Sequence, residues 1–312
     1  MELEQIEEIK SIKYLSNSKL QQIISDSLET INNNIPTKRL LERVKKYNNL
    51  EIITIKYISD GLKIFGMIFK HKDCKINTPT LIYSRGGNNH IKRRTGQLTV
   101  NHFFNSKYLE LVNDNKLIVI SSDLRGSLLS EGKDEFLGND INDIINLYPI
   151  IKKYRLMNQN KIGIFGWSRG STGALNVLKR VDWIKCLILG TGPISLEKKY
   201  WINFRPKLYD MWVNPNPDIG FGLSETELIN RSPIYFLDKI SNKIPILFMY
   251  GTNDKKVEIT HVQLLQNVIN KLNLNAKLII YKGGNHALNN TDEILKNVKR
   301  DTNNFLNENL IN

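Results

Sequence analysis

The chain has 312 residues, of which 41% are hydrophobic and 9% aromatic, as in an ordinary soluble globular protein with one large or two small domains. Its formal net charge is +13, but the basic residues are scattered along the chain, so we expect no nucleic-acid-binding face. Two cysteines without C-x-x-C spacing, an acidic N-terminus and the lack of a long apolar run predict a cytoplasmic protein without zinc, disulfides or membrane association.

The predicted elements begin with helices. Residues 1–48 show helical spacing of their apolar residues, and we interpret them as an N-terminal helical extension. From residue 49 the pattern changes to a period of two, and Asp60-Gly61 separates two runs of this kind. Because Asp-Gly is a preferred two-residue turn, these runs predict a β-hairpin. The hairpin opens the predicted catalytic domain, residues 49–312.

Strands and helices alternate after the hairpin. Candidate strands cover residues 80–83, 117–121, 162–165, 184–189, 246–250 and 277–281, and candidate helices cover about 97–113, 139–158, 169–180, 257–272 and 291–309. Continuous apolar strands separated by helices predict an α/β fold, with a mostly parallel, doubly wound sheet that carries helices on both faces.

One interval breaks this alternation. Residues 191–243 are too many for a plain connection between two strands, and they predict a small helical cap inserted into the domain. The interval is rich in aromatic residues, including Trp201, Tyr209 and Trp212. These side chains either pack the cap onto the body of the domain or line a substrate pocket.

The clearest motif lies at residues 166–170, which read Gly-Trp-Ser-Arg-Gly between a strand pattern and a helix pattern. A strand, a tight turn and a helix with a serine at the apex form a nucleophile elbow, in which the glycines let the backbones approach closely. We therefore expect Ser168 to be strained and exposed, beside the positive end of the helix. The alternative is a glycine-rich turn of a nucleotide-binding fold, which the absent G-x-G-x-x-G pattern disfavours.

A serine nucleophile needs a base to take its proton and an acid to orient the base. In a fold of this kind the two follow the serine in the order acid, then histidine. Asp254 directly follows an apolar strand, and His286 lies in a glycine-rich loop after the last strand. We predict that they form a triad with Ser168, with Asp292 as the rival acid. The other four histidines either precede the serine or, like His261, lie within a predicted helix.

The oxyanion of an acyl-transfer reaction needs two preorganised donors. The backbone N–H of Arg169 is the first candidate, because this residue follows the nucleophile. The second donor comes from the loop after the strand at residues 80–83, where Gly86 and Gly87 allow close backbone approach. A side chain of the same loop, Arg85 or Asn88, is the alternative donor.

Several motifs together resemble the catalytic domain of prolyl oligopeptidase-family serine peptidases, within the α/β-hydrolase superfamily. In chain order they are Tyr-Ser-Arg-Gly-Gly at 83–87, Asp-Leu-Arg-Gly-Ser at 123–127, Gly-Ile-Phe-Gly-Trp-Ser-Arg-Gly at 163–170, Ser232-Pro233, Gly-Thr-Asn-Asp-Lys-Lys-Val at 251–257, and His286. The resemblance covers about residues 50–310 and implies an α/β-hydrolase fold. It also implies Ser168, Asp254 and His286 as the triad. Larger members of that family carry a β-propeller, where this chain has about 50 predicted helical residues.

The predicted activity is cleavage of an amide or ester bond through an acyl-enzyme, without a metal or other cofactor. The resemblance implies a serine peptidase acting on small molecules or short peptides. The alternatives are a carboxylesterase, an acyl hydrolase or thioesterase on small substrates, and a non-catalytic ligand-binding protein of the same fold. The oligomeric state is left open.

Arginines beside the predicted oxyanion hole raise a question of substrate charge. Arg85 and Arg169 either attract a carboxylate of the substrate or are held in the protein by an acid, for which Glu131 and Asp123 are candidates. The neighbouring loop at residues 125–127 follows a strand end, and we expect an ion pair of Glu131 with an arginine to hold it.

Overall fold

The structure is a computed structural model that describes residues 49–87, 112, 114–127, 129–217, 220–240 and 242–312. The predicted N-terminal helices, most of the candidate helix at 97–113 and Asn88 lie outside the described residues. The proposed boundary between residues 48 and 49 therefore stays a prediction.

Eight strands occur in the described part of the chain: β1 Leu50–Ser59, β2 Leu62–His71, β3 Thr78–Ser84, β4 Ile118–Ser122, β5 Met157–Trp167, β6 Cys186–Gly190, β7 Ile246–Gly251 and β8 Ala276–Tyr281. Hydrogen-bonded neighbours follow the order β1-β2-β4-β3-β5-β6-β7-β8. Each strand predicted from an apolar run corresponds to one of these and differs from it only at the ends.

The helices are α1 Asp140–Ile145, α2 Tyr148–Lys153, α3 Arg169–Leu178, α4 Lys198–Trp201, α5 Pro206–Val213, α6 Glu225–Arg231, α7 Thr260–Leu272 and α8 Asp292–Leu306. The single helix predicted over 139–158 is wrong. Two short helices stand there, with Pro149 in the first turn of α2, and β5 begins at Met157. A proline has no backbone N–H and clashes with the preceding turn, so a continuous helix would break at this point.

The contacts divide the chain into two compact units. The first contains the described parts of residues 49–81, 112–134 and 142–159. Within it, β1 and β2 are antiparallel, with Ser59 opposite Leu62, and β4 pairs antiparallel with β2. Asp60 and Gly61 both have positive φ, 50° and 80°, as a type I′ turn requires. The predicted hairpin is confirmed.

The second unit contains residues 82–87, 135–141 and the described part of 160–312. Here β5, β6, β7 and β8 pair in parallel, in sequence order. Every residue of β6 and β7 is buried, as expected for strands covered on both faces. Helix α3 is also buried along its whole length, which its small residues permit. All residues of the candidate site that the structure describes belong to this second unit.

The interval between β6 and β7 is helical, as predicted. It contains α4, α5 and α6, followed by two short 3-10 turns, Pro233–Tyr235 and Leu237–Lys239. Helix α6 begins with a capping box, in which Ser224 and Glu227 each accept a hydrogen bond from the backbone N–H of the other.

Candidate active site

The predicted elbow is present in the structure. Strand β5 ends at Trp167, α3 begins at Arg169, and Ser168 between them has φ 55° and ψ −126°. Few non-glycine residues adopt a positive φ, and such strained residues cluster at functional sites. The first N–H groups of a helix have no partner within it, so the N-terminus of α3 presents donors and a partial positive charge beside the serine.

Two glycines make the tight turn possible. A Cβ atom on Gly170 would lie 1.9 Å from the carbonyl oxygen of Ser84, and one on Gly166 would lie 2.5 Å from the carbonyl oxygen of Gly170. Real Cβ contacts are never this short, so only glycine fits at either position. The backbones of β3, β5 and α3 therefore meet directly behind the serine.

Asp254 and His286 are in contact. The Nδ1 atom of His286 lies 2.8 Å from Oδ2 of Asp254, and the two side chains are 15% and 2% exposed. The other carboxylate oxygen, Oδ1, accepts the backbone N–H groups of Lys256 and Val257 at 2.7 and 3.0 Å. A proton on Nδ1 directed at the carboxylate leaves Nε2 of the imidazole as an acceptor, which is the form a general base needs.

The histidine loop is tied to the end of the elbow strand. The carbonyl oxygen of His286 accepts a hydrogen bond from Nε1 of Trp167 at 3.0 Å and one from Oγ1 of Thr191 at 3.1 Å. Trp167 is the residue directly before Ser168, so this contact brings the loop beside the serine. In the described part of the chain no hydrogen bond joins the Ser168 hydroxyl to the His286 ring; such contacts often tighten only with substrate bound.

The predicted oxyanion loop also lies against the serine. A Cβ atom on Gly86 would be 2.8 Å from the carbonyl oxygen of Trp167 and 3.1 Å from Cβ of Ser168. Gly87 has φ 81°, a conformation that favours glycine. Arg85 is 2% exposed, and its Nη1 donates to the carbonyl oxygen of Gly86 at 3.2 Å. The guanidinium of Arg85 is therefore buried in the protein.

The side chain of Arg169 forms an ion pair with Asp140. The expected partners, Glu131 and Asp123, were wrong: the partner acid is the first residue of α1, and no local sequence pattern marks it. Glu131 accepts the backbone N–H of Lys63 at 2.8 Å instead. The expectation that Glu131 holds its loop through an arginine is likewise wrong.

Another acid holds the loop at residues 125–127. Arg125 pairs with Asp143 and with Asp60, in each case with a nitrogen–oxygen distance of 2.7 Å. Asp143 is fully buried, and it also accepts the backbone N–H of Arg125 at 2.7 Å. A buried carboxylate stays compatible with the fold because these charge-assisted hydrogen bonds satisfy it.

His261, on α7, is completely buried. Its Nδ1 accepts the backbone N–H of Ile194 at 3.4 Å, and its ring lies beside those of Tyr200 and Trp201. Burial lowers the pKa of His261 to about 4, against a smaller opposing effect of the Asp254 carboxylate. His261 is therefore a neutral core histidine at physiological pH.

The candidate aromatic residues of the cap are buried. Trp201, Trp212 and Tyr209 are 1%, 2% and 7% exposed. The two indole rings meet edge to face at 4.8 Å, and Trp212 also packs on Phe136 at 5.1 Å. Of the two alternatives from the sequence, these contacts favour packing of the cap over direct lining of a pocket.

Two features do not occur among the described residues. Among the residues that the structure describes, no group of three or more His, Cys, Asp or Glu side chains could hold a metal ion. None of the described helices combines the length and the apolar character needed to span a bilayer.

The sequence comparisons cover the candidate site. A sequence model of the prolyl oligopeptidase family matches residues 102–312, which include Ser168, Asp254 and His286. The uncharacterized peptidase YtmA of Bacillus subtilis is 24% identical over 225 residues, which are 72% of this chain and 81% of YtmA. The chain spans only 21% to 25% of the length of the curated relatives named as dipeptidyl peptidases or aminopeptidases that it matches.

Two solved structures show the fold. Acylaminoacyl peptidase of Pyrococcus horikoshii is similar with a TM-score of 0.67 and 18% identity, over 86% of this chain and 43% of that chain. The Pyrococcus furiosus esterase Pf2001 is similar with a TM-score of 0.61 and 19% identity, over 90% of this chain and 96% of that chain. At such low identity the similarity establishes the fold alone, and the predicted α/β-hydrolase fold is confirmed.

Proposed function

The chain belongs to the prolyl oligopeptidase family, and we therefore propose that it is a serine hydrolase that cleaves an amide or ester bond through an acyl-enzyme. In this proposal Ser168 is the nucleophile, His286 the general base and Asp254 the acid that orients it. The observation that carries the proposal is the 2.8 Å contact between Asp254 and His286. The backbone carbonyl of His286 is also hydrogen-bonded to Trp167, the residue directly before Ser168.

The acylation step uses the imidazole twice. Nε2 of His286 takes the hydroxyl proton of Ser168 while Oγ bonds to the substrate carbonyl carbon, whose oxygen becomes an oxyanion. The backbone N–H of Arg169 and a donor from the Gly86-Gly87 loop stabilise this negative charge. When the tetrahedral intermediate collapses, the bond to the leaving amine or alcohol breaks, and that group takes the proton from His286.

Deacylation repeats these steps with water. A water molecule loses a proton to His286 and attacks the acyl carbon, and collapse of the second intermediate releases the acid product. The proton returns to Oγ of Ser168, so the enzyme is regenerated without a net change in its protonation.

The substrates we propose are short peptides or small molecules, because the family and the relative YtmA are named as peptidases. A carboxylesterase, acyl hydrolase or thioesterase with small substrates is the second candidate. The esterase Pf2001, which shares the fold over 90% of this chain and 96% of its own length, is the reason to include it in the test.

A fluorophosphonate probe tests the proposed nucleophile. We expect one label per chain, located at Ser168 by peptide mapping, and no label in the Ser168→Ala variant. A panel of p-nitrophenyl esters and peptide anilides then separates esterase from peptidase activity. Labelling at another serine, or none in the folded protein, would reject the proposal. Labelling without turnover of any substrate would instead favour a ligand-binding protein of this fold.

A further inference from the structure

The side chain of Arg169 is engaged within the protein. Its Nη1 donates to the carbonyl oxygen of Gly87 at 3.1 Å, and its Nη2 donates to Oδ2 of Asp140. The guanidinium carbon also lies 4.9 Å from the ring centre of Phe136. Arg169 is only 5% exposed, so its guanidinium is not presented to solvent. Asp140 and the ring of Phe136 stabilise its positive charge.

Asp140 is itself held in place. It is 1% exposed, and Oδ2 also accepts the backbone N–H of Leu137 at 3.2 Å. The loop before it has positive φ at Phe136 and Leu137, 48° and 71°. Arg231 of α6 donates to the carbonyl oxygens of Glu135 and Phe136 at 2.6 and 2.9 Å. The contacts of Arg231 hold the strained loop that presents Asp140 to Arg169.

The other contact of Arg169 reaches the predicted oxyanion loop. Gly86 lies against Ser168, and the carbonyl that Arg169 binds belongs to the next residue, Gly87. This hydrogen bond restrains the backbone of Gly87, directly after the residue that lies against Ser168. One side chain thus joins the loop after β3 to the first residue of α3.

We infer that Arg169 and Asp140 act through their side chains as positioning residues, which align the Gly86-Gly87 loop with the backbone N–H of Arg169. This inference rests on the proposed function. Oxyanion donors are effective only at hydrogen-bond distance from the developing charge, so a small displacement of a donor reduces the stabilisation of the transition state. The ground state does not carry that charge. Loss of alignment therefore lowers kcat and leaves KM nearly unchanged.

The test uses Arg169→Gln and Asp140→Asn, which each remove one side of the pair and keep the backbone. We expect kcat per labelled active site to fall roughly ten- to a hundredfold in both, less than the loss of a whole oxyanion donor. KM should change less than about twofold. The double variant should lose no more activity than Arg169→Gln alone, because Asp140→Asn acts through a contact that Arg169→Gln already removes.

The binding of a boronic acid and of the carboxylate product distinguishes an effect on the transition state from an effect on the ground state. The boronic acid forms a tetrahedral adduct with a serine nucleophile, whereas the product resembles the ground state. We expect binding of the boronic acid to weaken by the same factor as kcat, and binding of the product to stay constant. Arg169→Lys keeps the charge, but its ammonium does not reproduce the planar two-sided contact, so it should rescue only in part.

Arg125→Gln is the matched control, since it also breaks a buried arginine–aspartate pair, in the first compact unit. We expect it to lower the melting temperature without weakening boronic acid binding. Wild-type kcat in Arg169→Gln and Asp140→Asn, with a similar loss of melting temperature, would overturn the inference. A rise in KM for carboxylate-bearing substrates alone would overturn it too, in favour of substrate recognition by Arg169.

Failure of the proposed function would be visible separately. If the fluorophosphonate does not label Ser168 in the wild type, the proposed function fails and the inference falls with it. If both wild type and variants are labelled and turn over substrate equally, only the inference fails. Should Arg169→Gln not fold, Asp140→Asn gives the same readouts, and Arg169→Lys gives them with smaller changes.

Discussion

The two carboxylate oxygens of Asp254 have different partners. Oδ1 accepts two backbone N–H groups of its own turn, and Oδ2 faces His286. The turn therefore orients the carboxylate independently of its contact with the histidine. The rival acid, Asp292, is exposed at the first position of α8, where a carboxylate interacts favourably with the helix dipole. These positions favour Asp254 as the acid of the proposed triad.

We predict that Asp254→Asn lowers kcat by about a thousand- to ten-thousandfold, because an amide stabilises the wrong tautomer of His286 and cannot balance the imidazolium charge. Steady-state hydrolysis of the best ester in the panel measures this. Asp292→Asn is the matched control, and it should keep the wild-type rate. Equal loss in both variants, or none in Asp254→Asn, would place the acid elsewhere.

At the level of elements, the elbow depends on how closely β3 and α3 approach. Gly170 faces the backbone at the end of β3, where a Cβ atom would lie 1.9 Å from the carbonyl oxygen of Ser84. Gly173, one helical turn later, has more room: its Cβ atom would meet the Oγ atom of Ser84 at 3.3 Å and aliphatic carbons beyond it. A side chain is therefore sterically excluded at Gly170, whereas Gly173 has nearly enough room for a methyl group.

We predict that Gly170→Ala lowers the free energy of unfolding by about 2 kcal/mol or more and abolishes fluorophosphonate labelling, because the backbone at the elbow must move. Gly173→Ala should change stability by less than about 1 kcal/mol, since alanine favours the helix and its contacts are close to ordinary. Urea denaturation and labelling of both variants measure these effects. A stable, fully labelled Gly170→Ala protein would contradict the packing described above.

For the whole molecule, His261 connects pH to folding stability. The folded pKa is about 4, below the ordinary value of about 6.5 in an unfolded chain. Below pH 6.5 the unfolded state therefore binds more protons than the folded state, and stability falls as the pH is lowered. The stabilisation is complete above the unfolded pKa and decreases until the pH reaches the folded pKa.

We predict that lowering the pH from 7.5 to 5 costs about 2 kcal/mol of folding free energy through His261 alone. Urea denaturation at the two pH values measures the total change. The His261→Asn variant keeps an acceptor for the N–H of Ile194 but does not titrate, so its pH dependence should be smaller by that amount. Identical pH dependence in both proteins would exclude His261 as the responsible group.

The sequence by itself determined the class of fold and the positions of the residues proposed as the triad. Apolar periodicity depends on which residues each element buries, and this information is local. Together with the Asp60-Gly61 turn and the motif at residues 166–170, it therefore predicted the hairpin, the parallel strands and the elbow around Ser168. Asp254 and His286 were predicted because strand-end loops follow directly from the strand pattern. The helix predicted over 139–158 was wrong, because Pro149 interrupts it.

Only the tertiary structure decided which residues the long side chains contact. Arg169 pairs with Asp140, 29 residues away, and the indole of Trp167 binds the carbonyl of His286, 119 residues away. Periodicity does not encode such partners, because a buried arginine can pair with any acid that the fold brings within reach. The same holds for the cap, where burial of Trp201 and Trp212 follows from packing between segments that are distant in the chain.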